Sequence, residues 1–267
     1  MDPNADVFAA RTRLEDAVHG VADLVRNAAD LHQTVADGRW TIRDTTAHLT
    51  TIFGLYRELA AGAASPYQSL SREACMAASD QLIADVSEDD PGKLTGLLVD
   101  SAERFLDETS ELSGDHPVVY HCALPYDVFG LTGTLLGDVL LHGYDIAARI
   151  QRPWRIDAAD AAVVLAAYAP LYCLIVDPDR TKGLDVAVSI DLRGGGPVVA
   201  RFRDGQFGFE EATGDPVDAT ISADPVAFLM VGSGRLDRSA AIALGLMEVG
   251  GPLPHLAMAF PDYFAYP

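Results

Sequence analysis

Lysine is almost missing from this chain. Only Lys93 and Lys182 occur among 19 cations, and these face 39 acids for a formal charge of −20. Nucleic-acid binding needs clustered Lys/Arg to displace counterions from phosphate, and no basic run exists. Anionic membrane surfaces are disfavoured for the same reason. Cysteine is equally sparse: Cys75, Cys122 and Cys173 are widely spaced and form no CxxC pair. That suits reduced thiols in a cytoplasmic protein better than a disulfide framework. The longest uncharged apolar run, Ala161 to Val176, is interrupted by Pro170. It falls short of the roughly 20 apolar residues of a membrane span and reads as a buried core helix. The opening residues carry acids where a signal peptide carries cations.

What is present reads as two parts. Apolar residues at three-to-four spacing mark a helix over 6–31. Thr41 and Asp44 form a capping box that opens a second helix to about residue 61. A third is predicted over 70–86, and Asp90-Pro91 starts a fourth, to about 112. Residues 118–126 are β-branched and end in proline, so they read as extended. A last helix is predicted over 134–150. These helices make an antiparallel bundle. Beyond Pro153 one more helix, 157–176, precedes period-two segments at 185–192, 197–202, 206–210 and 218–223, read as antiparallel strands. Short helices at 224–232 and 237–244, a strand at 247–249 and a helix at 252–260 close the chain. The fold class is α+β, with domains at 1–153 and 154–267.

Two histidines fall on apolar helix faces. His48 lies among Ile42, Thr45, Leu49, Ile52 and Leu55. His142 is four residues after Asp138, so both project from one helix face toward Leu135, Val139 and Ile146. A carboxylate and two imidazoles drawn toward a core need partners. A metal held by three protein ligands, with a fourth position open, would satisfy all of them. An Asp138–His142 surface pair with His48 as an ordinary core histidine is the competing reading. Asp145 could orient an imidazole or pair with Arg149. Arg235, in the turn Gly232-Ser233-Gly234, could clamp a substrate carboxylate or pair with Asp237. His121-Cys122 could add a ligand or a reactive thiol, or be buried and inert. Phe202, Phe207, Phe209 and Phe228 could line an apolar pocket or fill a core.

Residues 40–49, Trp-Thr-Ile-Arg-Asp-Thr-Thr-Ala-His-Leu, resemble the second-helix signature of DinB-like metal-binding bundles, in the branch of the mycothiol-dependent maleylpyruvate isomerase family. Asp138, His142, Gly143, Tyr144 and Asp145 match that family's acid-x-x-x-His-Gly-aromatic-Asp segment. Residues 218–260 are similar to the sterol-carrier-like domain that often follows. The resemblance implies metal ligation by His48, Asp138 and His142, with Asp145 behind an imidazole and Tyr144 beside the thiol. Two departures stand out: Asp138 replaces the usual Glu, shortening its reach by a methylene, and Tyr144 stands where Trp is frequent.

The chemistry so implied is a divalent metal, zinc first and nickel or iron as alternatives, binding mycothiol or a similar low-molecular-weight thiol as thiolate. The thiol then attacks a small electrophile, in S-transfer or in cis-trans isomerisation. A different class of function is non-catalytic carriage of an apolar molecule by the C-terminal domain. A family member repurposed for a biosynthetic pathway is a third. The expected assembly is a monomer or homodimer.

Overall fold

The computed structural model describes residues 3–35, 38–67, 69 and 71–264. The chain divides into two units, Met1–Ile156 and Asp157–Pro267, each with its own core.

The first unit is a bundle of α1 (Pro3–Arg26), α2 (Ile42–Ala60), α3 (Arg72–Ala84), α4 (Pro91–Glu108) and α5 (Val128–Arg149). A two-stranded ribbon, β1 (Pro117–Val119) with β2 (Pro125–Asp127), sits between α4 and α5 and encloses a 3-10 turn at His121–Ala123. The Thr41 capping box closes in both directions: the Asp44 N–H donates to Thr41 Oγ1 at 3.1 Å and the Thr41 N–H to Asp44 Oδ2 at 3.1 Å. Asp90 caps α4 through the Lys93 N–H, with Pro91 in the first turn. α1 stops at Arg26, short of residue 31, where the Asn27 amide donates to the Asp23 carbonyl at 2.7 Å. On the opposite side Arg11 reaches from α1 to the carbonyls of Thr109, Ser110 and Leu112, which closes the end of α4.

α5 begins at Val128, six residues ahead of the start that the sequence suggests. Gly130 and Gly133 are poor helix formers, which argues for a loop there. Tertiary packing overrides that preference: a Cβ on Gly130 would lie 2.5 Å from Tyr126 Cζ, so the glycine makes room for the ring. Asp127 then caps the helix by accepting the Gly130 N–H at 2.6 Å. The same device recurs at Gly143, where a Cβ would stand 2.4 Å from Trp154 Cζ2. The indole, anchored by its N–H to the Leu140 carbonyl at 3.0 Å, also packs over Gly20 of α1.

The ribbon is pinned by aromatic rings. His121 stacks on Tyr120 at 3.9 Å and leans on Tyr67 at 4.4 Å. Its Nδ1 hydrogen-bonds with Ser65 Oγ at 2.6 Å, and that oxygen also accepts the Tyr67 N–H at 3.0 Å. Cys122 (φ 55) and Ala123 (φ 59) sit in the left-handed region, at roughly 1–3 kcal/mol each, to aim His121 inward. The Tyr56 and Tyr120 hydroxyls hydrogen-bond to each other, and Tyr126 pairs with Thr134 at 2.9 Å.

The second unit comprises α6 (Ala158–Ile175), α7 (Pro178–Thr181), β3 (Asp185–Leu192), β4 (Val198–Arg203), β5 (Gln206–Glu211), β6 (Ala219–Ala223), α8 (Pro225–Gly232), α9 (Arg238–Ala243), β7 (Met247–Gly250) and α10 (Pro254–Ala259), ending in a 3-10 turn at Phe260–Tyr263. The sheet order is β5-β4-β3-β6-β7. The period-two reading finds every strand, but not every direction: β6 runs parallel to β3, with Val188 opposite Ala219 and Ile190 opposite Ile221. Alternation reports which face a residue occupies and is blind to strand polarity; the β3–β4, β4–β5 and β6–β7 pairs are antiparallel as expected, the last across the two helices α8 and α9. Phe202 is fully buried, and Phe207, Phe209 and Phe228 pack against the same core. By length and composition alone α6 could cross a membrane. Only one side of it is buried, at Ala161, Val164, Leu165, Ala167 and Tyr172; Tyr172 joins the core of this unit, and α6 packs on α8 and β5.

Two outcomes test this packing. Gly143→Ala should lower the stability of the chain by about 1–3 kcal/mol through overpacking against Trp154, measured as a shift in urea midpoint. Burial lowers the His121 pKa to about 4. The unfolded chain, with histidine near 6.5, therefore binds the extra proton first. Stability from this group is complete above about pH 6.5 and is lost as pH falls toward 4. Unfolding midpoints should drop across that window, and His121→Asn should flatten the drop.

Candidate functional site

α2 is buried on nearly every side, although it carries Thr45, Thr46, His48 and Thr50. The threonines make this tolerable by turning inward on their own helix. Thr45 Oγ1 donates to the Thr41 carbonyl at 2.8 Å, Thr46 to Ile42 at 2.8 Å and Thr50 to Thr46 at 2.9 Å. Their hydroxyls need nothing from the core. His48 differs. Its Nδ1 is buried and has no hydrogen-bond partner among the described residues. Burial, and then the charge of His142, push its pKa down to about 3, so the ring is neutral with a lone pair available.

His142 meets it from α5. The two rings are edge-to-face with centroids 5.3 Å apart. Two imidazoles on one tetrahedral zinc, with Zn–N near 2.05 Å, would place their centroids about 5 Å apart. The centroid spacing therefore suits a shared metal ion. Behind His142, the buried Asp145 holds Oδ2 3.7 Å from Nδ1. Trp40 lies over both rings, 4.7 Å from His48 and 6.0 Å from His142.

Asp138 stands half-buried one helical turn before His142. Among the described residues no group of three His, Cys, Asp or Glu side chains stands close enough to hold a metal ion, so Asp138 does not complete a trio with the two histidines. Its charge is felt instead by Tyr56, Tyr67, Tyr120 and Tyr126, whose pKa values rise through burial first and this carboxylate in addition.

Tyr144 is half-buried on α5 between Gly143 and Asp145. Arg235 belongs to the second unit, where its N–H donates to the Met230 carbonyl at 2.8 Å and its guanidinium to Ser233 at 3.3 Å, closing α8. Asp237 is engaged as the cap of α9. An apolar cavity in that unit, lined by Ile221, Phe228, Met247, Phe260 and others, measures about 20 Å³ and does not include Arg235. That is room for about one water. Cys122 is half-buried, with its N–H and Sγ both turned to the Tyr67 carbonyl. The tyrosine hydroxyls escaped the sequence reading, although Tyr56 follows His48 by eight residues, two turns along the same helix face.

Comparison with known proteins bears on the fold and the family. Residues 10–147 match the family described as mycothiol maleylpyruvate isomerase N-terminal domain. A crystal structure of the mycothiol-dependent maleylpyruvate isomerase superposes with TM-score 0.54 at 16% identity, covering 89% of this chain and 94% of that one. A histidine-to-alanine mutant of that enzyme superposes with TM-score 0.51 at 15% identity, over 88% and 93%. At these identities the superpositions show a shared fold. No curated protein sequence matches the chain. The family match spans more than half the chain, and the chain belongs to the mycothiol-dependent maleylpyruvate isomerase family.

Proposed function

We propose that the chain is a metal-dependent enzyme that uses a mycothiol-like thiol on a small electrophile, by S-transfer or by thiol-assisted cis-trans isomerisation. The observation that carries this reading is the buried, unpartnered Nδ1 of His48, on a ring that stands edge-to-face with His142 inside a family-matched bundle. A core histidine kept only for packing would have its nitrogens hydrogen-bonded. His48 and His142 would hold the ion, and Asp138 would join them by a small approach of α5 or through a water. A divalent ion, zinc first with nickel or iron as alternatives, supplies the charge that keeps a thiol largely ionised at neutral pH.

The chain's own residues supply the rest. Asp145, with Oδ2 3.7 Å from His142 Nδ1, would orient the imidazole by closing that distance to a hydrogen bond. The back-bonded threonines of α2 leave the site free of competing hydroxyls. Trp154, seated on Gly143, holds the backbone beside His142 in place. Tyr144 would lie beside the thiol.

Protein purified without chelator should contain near-stoichiometric divalent metal by elemental analysis. His142→Ala should remove the metal and lower mycothiol-dependent turnover of maleylpyruvate by at least the roughly 10–100-fold that loss of a mere outer-shell partner costs. Metal-free wild type whose melting temperature is indifferent to added zinc would overturn the reading.

A further inference from the structure

Trp40 and α3 have no part in the chemistry so far. α3 is thirteen residues long, yet among its described side chains only Ser79 and Ile83 are buried. So little burial is a weak reason for a helix to dock. What α3 does deliver is Asp80. Its Oδ1 accepts the Trp40 indole N–H at 3.1 Å, and its other oxygen pairs with Arg39. The backbone of Trp40 is fixed as well. Its carbonyl accepts the Val35 N–H at 2.9 Å, Thr34 bridges to Thr41, and the Thr41 capping box follows at once. An indole held at both ends lies across both imidazoles of the candidate metal pair.

We propose that Trp40 is a positioning residue that roofs the His48–His142 pair, and that Asp80 is the latch holding it there. This rests on the function proposed above and deepens it. The roof keeps water from one side of the two rings and leaves their remaining edges for the thiol. The indole face also gives the thiol sulfur an aromatic surface, a favourable contact at about 5 Å. The latch is polar and half-exposed, so it can be broken without disturbing the core.

The first test needs no metal. Chelator-treated protein is exposed to diethyl pyrocarbonate, and adducts at His48 and His142 are followed by peptide mass spectrometry. Asp80→Ala should raise the modification rate of both histidines roughly fivefold, the effect of one lost charge-assisted hydrogen bond on an exposed latch. Asp80→Asn keeps an acceptor for the indole and should stay near the wild-type rate. Trp40→Ala should exceed both. Equal rates in Asp80→Ala and wild type, or equal rises in the Ala and Asn variants, would overturn the latch. The second test reads the loaded enzyme: Asp80→Ala should raise KM for mycothiol while kcat is largely kept, whereas a fall in kcat at constant KM would overturn the positioning role. A wild-type chain without metal would refute the proposed function, while the modification rates would still decide independently whether the roof exists.

Discussion

The site depends on three threonine hydroxyls that hydrogen-bond backward along α2. Without those bonds, a helix carrying Thr45, Thr46 and Thr50 on buried positions would leave polar groups unsatisfied or turn that face to water. With them, α2 can be enclosed by α4, α5 and α3 and still carry one imidazole into the interior. Those threonines are satisfied within their own helix, and His48 Nδ1 is not. The exception is thereby isolated, which is the condition a ligand needs. Strict satisfaction of the neighbours is what makes a single unpartnered nitrogen meaningful.

A second constraint acts through glycine. α5 carries Gly130 and Gly143 where a side chain would collide with Tyr126 and Trp154. Each glycine lets a large ring lie directly on the helix backbone. The first organises the tyrosine cluster near Asp138, and the second braces the turn that bears His142 and Asp145. Two losses of helix propensity, each about 1 kcal/mol, are accepted for close packing at both ends of the segment that bears the site.

Much of this was legible in the residues. The capping box at Thr41, the Asp90-Pro91 start, the strands of the second unit and the convergence of His48 with His142 all follow from local pattern and motif. The family resemblance read from residues 40–49 and 138–145 agrees with the match over 10–147. Other features were not legible, for identifiable reasons. The start of α5 was hidden because glycine's low propensity is a local signal and Tyr126 is a tertiary one. The parallel β3–β6 pairing was hidden because alternation carries no direction. Whether Asp138 stands with the histidine pair depends on how α5 is placed against α2, which no spacing rule along one helix resolves. Trp40 belongs to a recognisable motif, but its place over the rings depends on Asp80, forty residues away in sequence.

The parallel pairing of β3 with β6 also governs how the second unit can assemble. Residues 193–218 separate the two strands, and within that interval β4 and β5 form their own hairpin on the far side of β3. Local pairing of β3, β4 and β5 closes small loops and can proceed early. The β3–β6 seam must wait for a longer closure, and β7 can join only when β6 is in place. Until that seam forms, one margin of the central strand β3 stays open as an unpaired edge, so the vulnerable species in the life of this protein is a half-built sheet rather than the helical bundle.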